Sequence, residues 1–157
     1  MYEFIYAQLL AIKKWADNEF HIIELHMIPG WIASSYQPYF NEEQEKQFYQ
    51  EIQQAQADIE NSMNDKDVQT KNKELQQKLS IAMISLTEIL ITKAILLNTD
   101  VTIKLEELVE NIGLEPSPLD YEEPDDYGQR IRLAIDSALK EIRMIAISDL
   151  EIKHHEC

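Results

Sequence analysis

LSIAMISLTEILITKAILL, residues 79–97, is the most apolar stretch of the chain, and its reading decides the fold. Leu79, Ala82, Met83, Leu86, Leu90, Ala94 and Leu97 recur at spacings of three and four and define one helical face. Ile81, Ile84, Ile91 and Ile95 define a second face of the same helix. A helix apolar on both sides is expected to lie inside a bundle, flanked by others. It is not expected to span a bilayer, because Glu88, Lys93, Ser80, Ser85, Thr87 and Thr92 interrupt it. With Leu75 and a polar lead-in from Asp67, the spacing predicts one long helix over residues 67–97.

Working outward, the segments before and after it also carry helical periodicity. Ile5, Leu9, Ile12 and Ala16, widened by Phe4, Ala11 and Trp15, predict an amphipathic first helix. Its helical character continues through Phe20, Ile23 and Ile28, and Pro29-Gly30 is expected to stop it. Residues 30–40 then read as an aromatic loop with Trp31, Tyr36, Pro38, Tyr39 and Phe40, packed over the core rather than displayed. Asn41 is a good N-cap for a second helix to about Met63, with Glu42, Glu43 and Glu45 favourable in its first turns. The narrow stripe Phe48, Ile52, Ala55, Ile59 is of coiled-coil type on an otherwise glutamine-rich surface. Residues 61–67 read as a polar turn.

After the central helix, Asp100 or Thr102 is expected to cap a short helix over residues 103–112. Leu105, Leu108, Val109 and Ile112 face inward there, and Gly113 ends it. Pro116, Pro118 and Pro124 stiffen the connection that follows. Ile131, Ala134, Ile135, Ala138, Leu139, Ile142, Ile145 and Ala146 predict a last helix over about 125–150, and the charged tail 151–157 is expected to fray. The fold class expected is therefore all-α: one domain over residues 1–157, a bundle of five to six helices around the apolar helix at about 67–97. Three glycines in 157 residues argue the same way, because all-β folds need many tight turns.

The net charge of −15 constrains partners. It opposes binding to nucleic acid and to anionic lipid, and only three arginines are present to track phosphates. Nine carboxylates lie between Leu105 and Gln129 without a lysine or arginine among them: Glu106, Glu107, Glu110, Glu115, Asp120, Glu122, Glu123, Asp125 and Asp126. Tyr121 and Tyr127 are interleaved, and tyrosines often anchor interfaces. A single cysteine, Cys157, fits a reducing compartment, and residues 1–10 lack the basic region and cleavage site of a secretory signal. A cytoplasmic location is the expectation.

Motif chemistry is sparse. Phosphate-binding glycine loops and a serine-nucleophile elbow are absent, so most enzyme classes recognisable by motif are excluded. His21, Glu24 and His26 do not share a face on a helix, where two ligands should lie four apart. His154, His155 and Cys157 sit on the tail, without a supporting shell. No metal site and no cofactor are expected.

Two resemblances follow from the residues. Glu42-x-x-Glu45 and Glu107-x-x-Glu110, with the layout of Ile12, Trp15 and Phe20 ahead of an acidic and then an apolar helix, resemble the all-α nucleotide pyrophosphohydrolases. That resemblance implies Mg²⁺-dependent chemistry through Glu42, Glu45 and Glu88. The departure is that residues 79–97 offer one carboxylate, Glu88, where the family has a pair. Residues 86–113 resemble the nucleotidyltransferase-associated helical (HEPN) domains, whose ribonucleases carry Arg-x4-His. Here Arg130, Arg132 and Arg143 are followed at that spacing by Ile135, Ser137 and Ser148, so no function carries over.

The leading functional expectation is a small acidic protein-binding protein that neutralises or escorts a basic partner, most concretely a toxin-immunity or antitoxin-type inhibitor. Its contacts would be Glu106, Glu107, Glu110, Asp120, Tyr121, Glu122, Glu123, Asp125 and Asp126. The Mg²⁺-dependent pyrophosphohydrolase is the enzymatic alternative. A helical subunit of a larger assembly, joined through the Phe48–Ile59 stripe, is the third.

Overall fold

The computed structural model describes residues 1–113 and 122–155, with residues 152–155 described by backbone alone. Its order is α1 (Tyr2–Ser34), α2 (Glu42–Asn64), α3 (Lys66–Thr92), α4 (Thr99–Gly113) and α5 (Pro124–His155), with a 3₁₀ turn at Ala94–Leu96. The all-α bundle expected from the sequence is what forms, and no strand occurs among the described residues.

Local chemistry sets most helix ends. The Asn41 side chain accepts from the Gln44 N–H at 2.8 Å while the Gln44 side chain accepts from the Asn41 N–H at 3.0 Å, a complete capping box. Asp65 is the only residue between α2 and α3, and its carboxylate accepts from the N–H groups of Asp67 and Val68. The turn expected over 61–67 is thus a single residue. At α4 the cap is Asn98, whose side chain accepts from the Asp100 N–H at 2.9 Å, and neither Asp100 nor Thr102 takes that role. α5 extends through His155.

Pro29-Gly30 does not end α1, which contains Pro29 and continues to Ser34. Proline removes one backbone donor, and the helix survives that loss near its end. Trp31 is therefore helical and about half exposed. Tyr36, Phe40, Phe48 and Tyr49 build a small aromatic cluster, with ring centroids 5.4 Å apart for both Tyr36–Phe48 and Phe48–Tyr49. It is separate from the main core, and Tyr39 stays exposed.

The main core joins Ile5, Leu9, Ile12, Trp15 and Ala16 of α1 to Leu79, Ala82, Leu86 and Ile89 of α3. Val101, Leu105 and Leu108 of α4 and Ile131, Ile135, Ala138, Leu139 and Ile142 of α5 complete it. α1 and α5 are antiparallel: Tyr2 donates to Asp149, Lys13 donates to Asp136 at 2.8 Å, and Arg132 donates to Asp17 at 3.2 Å. Trp15 to Gln76 at 3.2 Å and Asn18 to Asn72 at 2.9 Å set α3 antiparallel to α1. α1 and α5 pack closely at Gly128, where an added Cβ would lie 2.9 Å from Cδ2 of Phe20 and 3.1 Å from Cδ1 of Ile23. Glycine is required there for close approach.

The expected second buried face of α3 is not buried. α3 does touch α1, α2 and α4, but only its Leu79–Leu86 side enters the core. Ile81, Ile84, Ile91 and Ile95 are 61%, 60%, 78% and 98% exposed. The physical reason is that α1 and α4 both pack against the side that carries Leu79, Ala82, Leu86 and Ile89, and among the described residues no element covers its back.

Candidate protein-binding surfaces

Of the acidic residues singled out above, α4 carries Glu106, Glu107 and Glu110, all exposed. Leu105 and Leu108 point into the core on the opposite side, and that alternation aims the carboxylates outward. Glu122 and Glu123 immediately precede α5, and Asp125 and Asp126 lie in its first turn, where unpaired N–H groups favour negative charge. Asp125 is half-buried and accepts from the Asp126 N–H at 3.0 Å. Asp120 and Tyr121, like Glu115, lie outside the described residues.

The two cations that flank the segment reach back to this acidic set, Lys104 along its own helix and Arg130 from α5. Arg130 pairs with Glu122 at 2.9 Å and also donates to the Asn111 carbonyl at 2.9 Å, which ties the end of α4 to the start of α5. Lys104 lies 3.5 Å from Glu107 and 3.4 Å from Glu141. Glu107 and Glu122 are thereby partly neutralised. Glu106, Glu110, Glu123 and Asp126 are exposed and have no ion pair among the described residues. Exposed carboxylates thus lie on α4 and at the start of α5, and Arg130 joins the end of the one helix to the start of the other.

Other candidates sort themselves by position. Among the described residues no group of three or more His, Cys, Asp or Glu side chains could hold a metal ion. The structure therefore does not bring Glu42, Glu45 and Glu88 together. Glu45 instead accepts from the Tyr36 hydroxyl at 3.2 Å, and Glu88 projects from the exposed back of α3. His26 is bonded to the Ile22 carbonyl of its own helix at 2.8 Å. Phe48 is buried and Ile52, Ala55 and Ile59 of the same stripe are half-buried, on a helix that packs against α1 and α3. No helix among the described residues is long and apolar enough to cross a membrane.

Two apolar surfaces are open. One is a groove of about 560 Å³ between the N-terminal part of α1 and the C-terminal part of α5, lined by Tyr2, Tyr6, Leu10, Ala146, Ile147 and Leu150 among others. The Tyr2 hydroxyl at its end is pushed up to about 12 by burial, then by its hydrogen bond to Asp149 and by that carboxylate's charge. The other is the isoleucine row on α3. Sequence reasoning found those isoleucines but assigned them to the core. Hydrophobic periodicity marks a face as apolar without saying whether anything lies against it.

No family model matches the chain, and no curated protein or solved structure matches it significantly.

Proposed function

We propose that this protein binds a basic protein partner through the anionic patch at the α4–α5 junction, and that the toxin-immunity or antitoxin-type inhibitor is the concrete form of this activity. What supports the reading is that Glu106, Glu110, Glu123 and Asp126 are exposed and have no ion pair among the described residues, while Arg130 ties the end of α4 to the start of α5. A rigid anionic surface on a chain of net charge −15 accelerates encounter with a cationic protein, by ten- to a thousandfold over the uncharged case. Proteins that act on nucleic acid are commonly basic, which is why a blocking protein of this charge suits them.

The test is a panel of cationic ribonucleases, deoxyribonucleases and cationic non-enzymatic proteins, measured by surface plasmon resonance at low and high salt. The expected result is a partner whose association slows steeply with salt and slows about tenfold or more when Glu106, Glu110, Glu123 and Asp126 are all changed to Lys. Equal kinetics for both forms against every binder would remove the proposal.

A further inference from the structure

The isoleucine row on α3 has the geometry of a helix-docking seam. Ile81, Ile84, Glu88 and Ile91 recur at spacings of three and four on α3, the a/d pattern of a two-stranded coiled coil. This helical row runs for roughly 15 Å at 1.5 Å per residue. It lies directly opposite the buried set Leu79, Ala82, Leu86 and Ile89. Ile95 and Leu96, 98% and 75% exposed on the 3₁₀ turn that follows α3, extend it beyond the helix. Single exposed aliphatic residues are ordinary, whereas a contiguous row is the mark of an interface.

The polar residues beside the row present no obstacle to burial. The hydroxyls of Thr87 and Thr92 donate to the carbonyls of Met83 and Glu88 at 2.8 and 2.6 Å, and that of Ser80 donates to Gln76 at 3.1 Å. Their hydrogen bonds are already made within α3, so covering them leaves no donor unpaired. Glu88 is the exception. It is the one charge in the row, it is exposed, and positions three and four residues away hold Ile84, Ser85, Ile91 and Thr92, none of them cationic. A carboxylate buried without a partner is strongly unfavourable, so whatever covers this row must bring a cation to Glu88.

That requirement selects the occupant. A second copy laid parallel and in register sets Glu88 against Glu88. A second copy laid antiparallel over the helical part of the row, Ile81 to Ile91, has its two-fold axis at the level of Leu86, sets Glu88 against Ile84 and brings no cation to it. Shifting the register leaves isoleucines uncovered. We infer that the exposed face of α3 is a docking site for an amphipathic helix of a basic partner protein, with aliphatic residues at three–four spacing and a lysine or arginine in the layer that meets Glu88. The inference takes from the preceding proposal only the sign of the partner's charge, and it concerns a separate surface.

The experiment uses two synthetic three-heptad peptides with aliphatic a and d positions and cationic outer faces, identical except for Arg or Glu at the central a position. Binding is read by fluorescence anisotropy with the full chain, with Glu88→Lys, and with Ile84→Asp/Ile91→Asp. The full chain is expected to prefer the Arg peptide by about tenfold or more, and Glu88→Lys to prefer the Glu peptide. Ile84→Asp/Ile91→Asp is expected to bind neither while still melting cooperatively at a somewhat lower temperature. Should that double variant fail to fold, the inversion by Glu88→Lys still decides the matter.

The inference is overturned by absence of saturable binding to both peptides, or by Glu88→Lys keeping the original preference. It is overturned equally by sedimentation showing a wild-type dimer that Ile84→Asp/Ile91→Asp converts to monomer, since the occupant is then a second copy. If the peptides fail while the four-lysine variant of the α4–α5 patch loses a basic protein, the patch proposal stands alone. If the peptides bind as expected and the four-lysine variant changes nothing, only the docking site on α3 stands.

Discussion

Leu86→Ala and Ile84→Ala separate the two faces of α3 by the same chemical deletion two residues apart. Leu86 is fully buried in the cluster shared with α1, α4 and α5, so its truncation loses transfer energy and leaves a cavity, at about 2.7–5 kcal/mol. Ile84 is 60% exposed. Less than half of its burial is at stake, about 1 kcal/mol of a full aliphatic contribution of about 1.5–3 kcal/mol. Alanine's better helix propensity recovers a few tenths of a kcal/mol. The net loss for Ile84→Ala is then below about 1 kcal/mol, and for Ile95→Ala, at 98% exposure, close to zero. In a chain of this length about 1 kcal/mol shifts the melting temperature by 2–4 °C. Differential scanning calorimetry should therefore show Leu86→Ala melting at least about 6 °C lower, Ile84→Ala within about 4 °C of wild type, and Ile95→Ala unchanged. Comparable losses at positions 84 and 86, at any protein concentration, would refute a one-sided α3 and mean that its back is covered in the isolated protein.

Three other perturbations follow from the packing. Gly128→Ala should gain about 1 kcal/mol of helix propensity yet lose net stability by up to about 2 kcal/mol, because the new methyl sits 2.9 Å from the Phe20 ring. In a Phe20→Ala background the same change should become stabilising, and urea melts of the four forms show the sign reversal. Glu19 is held above the usual carboxylate range by burial, so its charged form is disfavoured in the folded state. The folded state holds that proton more tightly, and stability falls as pH rises from the unfolded value through the folded one. Glu19→Gln should therefore be more stable than wild type at pH 7, with the advantage gone at pH 4 in denaturant titrations. Tyr2→Phe should lose about 1 kcal/mol at pH 7 from the missing hydrogen bond to Asp149. The wild type keeps that contribution below pH 10 and loses it as pH rises towards about 12, so the two stability curves should converge there.

Several features of this protein are legible in residue order alone. Asn41 and Asp65 cap helices by chemistry confined to three or four residues, and periodicities of three and four place Ile5, Leu9 and Ile12, or Ile131, Ile135 and Ile142, on single buried faces. The cation-free run from Leu105 to Gln129 and the net charge of −15 are likewise properties of the chain, whatever its shape. Local rules were weaker where a helix had a choice of ending. Pro29-Gly30 is a strong stop signal that α1 passes through, and the polar run 61–67 holds a one-residue turn.

Only the tertiary structure decided which apolar and which acidic residues remain available. Ile84 and Leu86 are equally apolar, and their fates part because α1 and α4 converge on one side of α3. Glu122 and Glu106 are equally acidic, and they part because α5 carries Arg130 to the first, while among the described residues the second has no ion pair. Exposure and neutralisation are relations between segments distant in sequence. Periodicity and composition describe one segment at a time, so they can nominate a surface but cannot say whether the fold leaves it open.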